Sequence, residues 1–390
     1  MANEGLYTQL VNLYTEMETR IDKEFETKSY TESMTDNGGW SWDGVETITI
    51  PTTSHFELND YDLTQPWYQR TGAVQEVYDQ MNSYTVRRKR SFHGFIDDVP
   101  SMDQKFIRKM AVALKETTDE ELIPENDKYR LLTWANGAGN VVFGTADETK
   151  AKKGANDEDI IRTLLTLNAV ATNKRVPTDG RTFVMSITDA IETRLSERLQ
   201  YNQNYTGQMV RGEVAVLGDA KIVAIPDDLM PAGVKIMMKW KGSTADPRKA
   251  HKIRTLNNVV GSFGTHAEGL FRYDSFVKAQ KANGILLFGL GTAASPNGYI
   301  CDTPIISDYS SGFTITMPTS TAIRGVVSGV TIKYIISPVK MFFNPKVHEG
   351  ATAYDDTITI STAGTYYVTA YAEKAGCISS GIARKVITVT

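Results

Sequence analysis

Cysteine is almost absent from this 390-residue sequence, in which it occurs only at Cys301 and Cys377. Two cysteines in a chain of this length provide neither a disulfide framework nor the ligands of a metal cluster. Histidine is also scarce, since the five histidines are scattered and none has the spacing of zinc ligands. The sequence therefore predicts no metal centre.

Long hydrophobic runs are missing as well. The longest, Ile285–Leu290, is far shorter than the ~20 apolar residues that a membrane-spanning helix needs. The first residues, Met1–Tyr7, have neither the basic region nor the apolar segment of a signal peptide. We therefore expect no membrane partner.

No sign of charge dominates the composition. The formal net charge is −4, the sequence pI is near 5.9 and 23% of the residues are charged. This balance excludes a uniformly basic nucleic-acid-binding protein. Hydrophobic residues make up 41% of the chain, which is ordinary for a globular protein. The length is sufficient for two or three domains with sizeable cores.

Motifs of catalysis and cofactor binding are also missing. Gly289–Ala294 superficially matches a dinucleotide fingerprint, but Ser295–Gly298 contains a proline and excludes the helix that this fingerprint needs. The paired carboxylates that begin at Asp97 and Asp227 stand near prolines and are typical of turns. No serine or cysteine lies in the context of a nucleophile elbow. The sequence therefore predicts no enzyme, no catalytic residue and no cofactor.

The chain begins with an amphipathic stretch. Apolar residues recur at helical spacing between Leu6 and Phe25, which predicts a helix with one apolar face. A polar segment follows from Glu26 to Gly44. We interpret residues 1–44 as an N-terminal arm that neighbouring subunits hold in place. The alternative is a helix packed on its own domain.

Residues 45–98 have the pattern around which we organise the rest of the chain. Two β-type runs, Glu46–Ile50 and Ser83–Phe92, are joined by a long polar excursion that contains aromatic residues. This pattern predicts an extended hairpin loop. Because the hairpin has too few apolar residues for a core of its own, we expect it to lie on another surface, such as another subunit.

The next part of the chain, residues 99–290, mixes helical and strand patterns. We predict helices over Met102–Glu116, Leu122–Gly137, Asp157–Asn173 and from Thr188 to Leu199, and strands over Thr182–Ile187, Glu213–Leu217, Ile222–Ile225 and Val234–Trp240. Asp119 and Thr188 are the predicted caps of the second and fourth helices. Because helices and strands alternate irregularly, the predicted fold class is α+β rather than a doubly wound sheet.

The pattern changes after Gly291–Gly298, a small-residue linker that we interpret as a domain boundary. Short alternating runs separated by turn residues fill residues 299–390. The runs are Phe313–Met317, Val330–Ile336, Thr357–Ile360, Tyr366–Tyr371 and Ala383–Val389. They predict an all-β, immunoglobulin-like sandwich that folds as a separate C-terminal domain.

Several segments resemble, in the same order, those of tailed-bacteriophage major capsid proteins. They are Ile48–Pro51, Asp60–Asp62, Tyr84–Asp97, Glu121–Arg130, Val176–Ser186, Lys221–Pro226 and Gly269–Val277. The resemblance runs from Val45 to Leu290 and implies the phage major capsid shell fold. In that family a long spine helix begins at the segment similar to Glu121–Arg130. The resemblance also implies that residues 99–290 form the shell core, with peripheral and axial domains.

The resemblance implies a structural function rather than catalysis. Many copies would assemble as hexamers and pentamers into the icosahedral head that encloses phage DNA, with assembly in the cytoplasm of the bacterial host and the virion as final location. The implied partners are the chain itself, scaffold and portal proteins, and packaged double-stranded DNA in non-specific contact. Because residues 1–44 are too short for a cleavable scaffold segment, we expect the scaffold to be a separate protein.

A second, looser resemblance concerns the C-terminal residues. Gly329–Tyr334, Gly364–Ala372 and Ser380–Ala383 resemble small immunoglobulin-like modules of glycan-active enzymes and phage structural proteins. This resemblance implies an outward decoration of the shell, with surface glycans as a partner. The candidates for stacking on sugars are Tyr354, Tyr366, Tyr367 and Tyr371, of which half are expected to face the core of the sandwich.

The one basic run of the sequence is Arg87–Arg90. Alternation along a strand sends its four side chains to both faces, so some of them should meet a partner. We favour ion pairs with acidic patches of a neighbouring subunit, and the alternatives are a solvated strand or contact with packaged DNA. The candidate assembly-interface residues are Trp67, Tyr68, Arg87, Arg88, Lys89 and Arg90.

Two other classes of protein compete with this interpretation. A secreted or surface-layer adhesin that binds glycans would be expected to carry a secretion signal, which the sequence does not show. A glycan-processing enzyme with a β-module would need a pair of carboxylates in a cleft, which the sequence does not suggest.

Overall fold

The structure is a computed structural model and describes residues 29–35, 41–43, 46–53, 60–68, 70, 79–97, 117–151, 159–196, 213–217, 220–257, 261, 264–291, 298–318, 327–339 and 341–389. The predicted helices over Leu6–Phe25 and Met102–Glu116 and most of the predicted linker Gly291–Gly298 lie outside these residues. The described residues divide into two units. The smaller unit draws on Ser29, Val86–Asp127 and Pro247–Asp274, and the larger on Tyr30–Thr85, Lys128–Asp246 and Ser275–Thr390.

The described part of the chain contains three α-helices and twenty strands. The helices are α1 (Ile123–Gly137), α2 (Ile160–Asn173) and α3 (Ile187–Leu195). The strands are β1 (Ser41–Asp43), β2 (Thr47–Thr53), β3 (Asp79–Thr85), β4 (Lys89–Asp97), β5 (Asn140–Gly144), β6 (Arg181–Ser186), β7 (Glu213–Leu217), β8 (Ala220–Ile225), β9 (Val234–Trp240), β10 (Thr244–Ala245), β11 (Arg248–Asn257), β12 (Gly264–Tyr273), β13 (Phe276–Val277), β14 (Ile285–Leu290), β15 (Ile305–Ile306), β16 (Ile315–Thr316), β17 (Thr331–Ser337), β18 (Thr352–Ala353), β19 (Gly364–Glu373) and β20 (Ala383–Val389).

Apolar strands build a six-stranded sheet in the larger unit, in the order β5-β14-β9-β6-β8-β7. Strand β6 pairs in parallel with β8 and antiparallel with β9, and β14 pairs in parallel with β5. Every residue of β6 is buried, which indicates that both faces of the sheet are covered.

Alternate side chains of this sheet enter two different cores. On one face Val184 packs in a cluster with Leu131 and Trp134 of α1. On the other face Phe183 packs in a cluster with Leu164 of α2. The mixed sheet between helical layers confirms the α+β fold class.

Helix α2 is amphipathic, and its buried residues recur at helical spacing from Ile160 to Ala171. Asp159 is its N-cap. Just past the other end, Arg175 adopts a positive φ of 58°. This backbone conformation lets the Val176 N–H donate to the Ala171 carbonyl over 3.1 Å. The helix ends at Asn173 as predicted.

Helix α1 ends at Gly137 as predicted, but its start differs from the prediction. A π-helical turn over Thr118–Leu122 precedes it, so Asp119 lies inside the helical segment instead of capping it. The buried guanidinium of Arg130 donates to Thr31 Oγ1 over 3.0 Å and contacts Glu32 over 3.3 Å. Met34 is buried in the same core as α1. The described part of the predicted arm therefore packs on its own chain.

The smaller unit contains a three-stranded antiparallel sheet in the order β11-β12-β4. On one face the rings of Phe92 and Phe271 stack with centroids 5.7 Å apart. Gly269 lies beside them, and a Cβ atom at this position would stand 2.1 Å from Phe92 Cε1. The glycine is therefore required by close packing.

The C-terminal strands form a four-stranded antiparallel sheet, β18-β17-β19-β20, and a two-stranded sheet, β15-β16. The two sheets share a small core to which Phe313 and Val368 belong. Ile300, Ile378 and Ile382, by contrast, belong to the core that contains α1. The C-terminal residues therefore contribute to two cores, and the separate folding of residues 299–390 stays a prediction.

The four tyrosines predicted to stack on sugars are not exposed. Tyr371 is buried, Tyr354 and Tyr366 pack against the small C-terminal core, and Tyr367 meets Phe342 edge-on at 5.1 Å. Half of the rings were expected to face the core, which Tyr371 does, and sugar binding by the half-buried Tyr354, Tyr366 and Tyr367 stays a prediction.

Two further local predictions need correction. The run Ser83–Phe92 was predicted as one strand, but β3 ends at Thr85 and β4 begins at Lys89 in a different sheet. The cap of α3 is Ser186, whose Oγ accepts a hydrogen bond from the Asp189 N–H over 3.2 Å, rather than Thr188. The chain passes directly from β6 into the helix, which leaves no residues for a later cap.

Candidate assembly surface

The predicted hairpin is present as an antiparallel ribbon. Strand β2 pairs with β3 from Thr47↔Thr85 to Thr53↔Asp79, and β1 adds a third strand. The base of the ribbon is anchored in the larger unit, where Ile48 and Tyr84 pack with Ala245 and Phe276. Burial raises the pKa of Tyr84 to about 12. The ribbon therefore has a fixed base.

After β2 in the sequence, residues 60–68 and 70 form a turn that is closed by its own hydrogen bonds. Asp62 Oδ1 accepts from the Thr64 N–H over 2.8 Å and from the Thr64 hydroxyl over 2.6 Å. These hydrogen bonds hold the pKa of Asp62 below its ordinary value. The Asp62 N–H donates to the Arg70 carbonyl over 3.1 Å, and Arg70 Nε donates to the Gln65 carbonyl over 3.0 Å. The turn is thus preorganised.

This closed turn presents apolar side chains to solvent. Trp67 is 81% exposed and Tyr68 is 63% exposed, and their rings meet edge-on with centroids 5.6 Å apart. Leu63 is 71% exposed nearby in the sequence. A group of exposed aromatic and aliphatic side chains is typical of a protein–protein contact, in which tryptophan and tyrosine are enriched. We call residues 60–68 and 70 the loop tip.

The basic run belongs to the smaller unit and has a partner within it. Arg88 and Arg90 both bond to Glu125 Oε1, with a distance of 2.6 Å from Arg90 Nη2. Partial burial opposes ionisation of Glu125, but hydrogen bonds from Arg90 and Arg88 hold its pKa below the ordinary value. Arg88 Nε also donates to the Tyr273 hydroxyl over 3.3 Å.

The other two basic residues lie on the surface. Arg87 and Lys89 are exposed, and the backbone N–H of Arg87 donates to Asp274 Oδ2 over 2.9 Å. The predicted alternation along one strand is wrong for Arg87 and Arg88, because they precede β4. Contact of the basic run with a neighbouring subunit stays a prediction.

The structure thus joins four of the six predicted interface residues in two pairs. Trp67 and Tyr68 stand together at the loop tip, and Arg88 and Arg90 share Glu125. Sequence reasoning missed Glu125 as the internal partner. Its only signal was the position in the first turn of α1, where the helix dipole favours an acidic residue.

Among the described histidine, cysteine, aspartate and glutamate side chains, no group of three could hold a metal ion. None of the described helices combines the length and apolarity needed to cross a membrane.

Comparison with known proteins finds likeness in structure and not in sequence. No protein-family model matches the sequence, and a search of curated proteins finds no match. The capsid of the cyanophage P-SCSP1u matches with a TM-score of 0.54 at 10% identity, covering 72% of this chain and 93% of that one. The chain has the shell fold of phage capsid proteins.

Two further structures match this capsid fold. The mature capsid of bacteriophage PhiM1 gives a TM-score of 0.52 at 11% identity, with 71% of this chain and 91% of the other covered. A chain of Mycobacterium phage Che8 gives 0.50 at 14% identity, with 71% and 97% covered. The adhesin alternative finds no support in these structures.

Proposed function

We propose that this chain is the major capsid protein of a tailed bacteriophage, which assembles into the icosahedral head around phage DNA. The observation that carries the proposal is the capsid fold, since the matched phage chains are covered over 91% to 97% of their length. The function is mechanical, so the relevant chemistry is that of interfaces between copies of the chain.

The loop tip is the part of the chain best suited to grip a neighbouring copy. Its ribbon is anchored at Tyr84, and its turn is closed by Asp62, so little conformational entropy is lost when it binds. Trp67 and Tyr68 offer the large, rigid contact area that dominates binding energy at interfaces.

Electrostatic contacts supplement these apolar contacts. We propose that Arg87 and Lys89, which are exposed, contact acidic side chains of a neighbouring copy. The same proposal includes scaffold and portal proteins as partners and non-specific contact with packaged DNA. It also includes location in a virion that is assembled in the host cytoplasm.

An outward decoration by the C-terminal residues completes the proposal. The matched phage chains leave more than a quarter of this chain uncovered, which is consistent with an added immunoglobulin-like domain over residues 299–390. A glycan partner is the less supported element, because the four candidate tyrosines are not exposed.

The test is assembly of a loop-tip variant. Replacing Trp67→Ala together with Tyr68→Ala should leave a folded subunit, because neither side chain supports the core, yet lower the yield of closed shells at least tenfold in electron micrographs. Tyr299→Ala is the matched control, since Tyr299 is 57% exposed and lies outside the tip. Normal shells from the double variant would contradict the role of the tip. Dispersed monomers from the unmodified chain, expressed with a scaffold protein, would contradict the function itself.

A further inference from the structure

The only two cysteines of the chain lie next to each other in space. Ile300 and Ile378 form a parallel bridge, in which the Cys301 N–H donates to the Ile378 carbonyl over 2.9 Å. The Ile378 N–H donates to the Tyr299 carbonyl over 2.7 Å. The backbone therefore holds Cys301 and Cys377 on adjacent segments that are 76 positions apart in the sequence.

The two thiols are in hydrogen-bonding contact and differ in accessibility. Cys301 is fully buried, and Cys377 is half-buried with its Sγ 3.2 Å from the Gly298 carbonyl oxygen. Burial, with the nearby Cys377, raises the pKa of Cys301 to about 11. A dissolved reagent therefore reaches Cys377 first, whereas Cys301 reacts with a partner that is already beside it.

The pair lies where the C-terminal segment meets the end of α1. Lys346 donates to the Asn136 and Ala138 carbonyls over 2.8 Å each. The Ile382 N–H donates to the Gly139 carbonyl over 2.8 Å. A covalent bond between the cysteines would hold this whole junction together.

We propose that Cys301 and Cys377 are a disulfide-forming pair that closes when the chain leaves a reducing environment and fastens the C-terminal segment to the end of α1. The oxidant is a low-molecular-weight disulfide such as oxidised glutathione. The Cys377 thiolate attacks one sulfur of it and releases one glutathione thiolate. Cys301 then loses its proton and attacks Cys377 Sγ, which releases the second glutathione. Two protein thiols are oxidised and one glutathione disulfide is reduced to two thiols.

The closed loop would contain β15 to β19 and so restrict most of the C-terminal residues in the unfolded chain. We therefore expect the oxidised chain to melt at a higher temperature than the reduced chain. This proposal does not depend on shell assembly, because both forms can be compared as unassembled subunits.

The first experiment counts thiols in the full 390-residue chain after incubation with oxidised glutathione, quenching with N-ethylmaleimide and intact mass spectrometry. The expected product has lost the mass of two hydrogens and carries neither maleimide nor glutathione. Cys301→Ser should instead accumulate one glutathione on Cys377, and Cys377→Ser should react at least tenfold more slowly. Two alkylatable thiols, or a glutathione adduct that persists in the unmodified chain, would overturn the proposal.

The second experiment measures melting temperature with and without reductant. The unmodified chain should show a higher midpoint when oxidised, and the variant with both cysteines replaced by serine should show the same midpoint under both conditions. Cys301→Ala and Cys377→Ala replace the serine variants if these do not fold. Equal midpoints for the oxidised and reduced unmodified chain would overturn the fastening role.

Discussion

At the scale of single residues, Lys346 is the least expected ionisable group. The residue as a whole is half-buried, but its ammonium lies deep, bonded to the carbonyls of Asn136 and Ala138. Burial lowers the pKa of Lys346 from 10.5 to about 7. The two carbonyls at the end of α1 stabilise the charged form, as expected for a cation at a helix C-terminus.

This lowered pKa predicts a pH dependence of stability. Between pH 7 and 10.5 the unfolded chain holds a proton on Lys346 that the folded chain does not, so the free energy of unfolding should rise with pH. The rise is at most about 1.4 kcal/mol per pH unit. Urea unfolding at pH 7 and 8 measures it, below the pKa of about 8.5 at which the cysteines of the unfolded chain ionise.

Lys346→Met should abolish this rise, whereas Lys374→Met should keep it. Lys374 is the matched control, because it also donates to a carbonyl, that of Ser328, over 2.8 Å but is exposed. The same pH slope in Lys346→Met and in the unmodified chain would show that another group is responsible.

At the scale of elements, the sheet of the smaller unit offers a direct test of packing. Gly269 on β12 has no room for a Cβ atom, because it would stand 2.1 Å from the ring of Phe92. Gly94 on the paired strand β4 has nothing within 4 Å of such an atom. The two glycines therefore have opposite packing environments in one sheet.

Gly269→Ala should lower the free energy of unfolding by about 2 kcal/mol, since the Phe92 ring must move out of its stack with Phe271. Gly94→Ala should change it by less than about 0.5 kcal/mol, because a methyl group fits there and reduces the freedom of the unfolded chain. Denaturant unfolding of both variants measures the difference. Equal destabilisation by both would mean that strand backbone, and not the ring contact, sets the cost.

Elements with strong local patterns could be predicted closely from the sequence. The predicted bounds of β9 and β20 are the observed ones. The predicted ends of α1 and α2, Gly137 and Asn173, are also the observed ends. These features depend on neighbours in the sequence, which periodicity and end signals report.

Features that depend on long-range packing could not be predicted. Alternation over Ser83–Phe92 is compatible with one strand and with two strands in different sheets. The pairing of Arg88 with Glu125 and the contact of Cys301 with Cys377 join distant positions that no local pattern connects. At the candidate surface, the aromatic excursion was predictable, and the closed turn that presents it was not.

At the scale of the whole chain, the C-terminal residues of the larger unit contribute to two hydrophobic cores. Phe313 and Val368 belong to a small core of their own. Ile300, Ile378 and Ile382 complete the core of α1 and the six-stranded sheet. The C-terminal segment therefore supports the fold that carries it.

A chain that stops after Gly298 should lose this support. Without Ile378 and Lys346, the core is opened and the carbonyls at the end of α1 lose a donor, so we expect an insoluble product or one without a cooperative melting transition. Solubility and calorimetry measure the outcome. A soluble truncated chain with a sharp transition would instead show that the fold does not need the support of this segment.

The exposure of Trp67 also has an optical consequence. An indole in water emits at longer wavelength than one enclosed by protein, and Trp67 is exposed while Trp134 is fully enclosed. If the loop tip is covered when a neighbouring copy joins, the emission of Trp67 shifts to shorter wavelength while that of Trp134 stays constant. The difference between the unmodified chain and Trp67→Phe isolates this signal. The chain thus carries its own fluorescent reporter, with which the kinetics of subunit addition can be followed without a label.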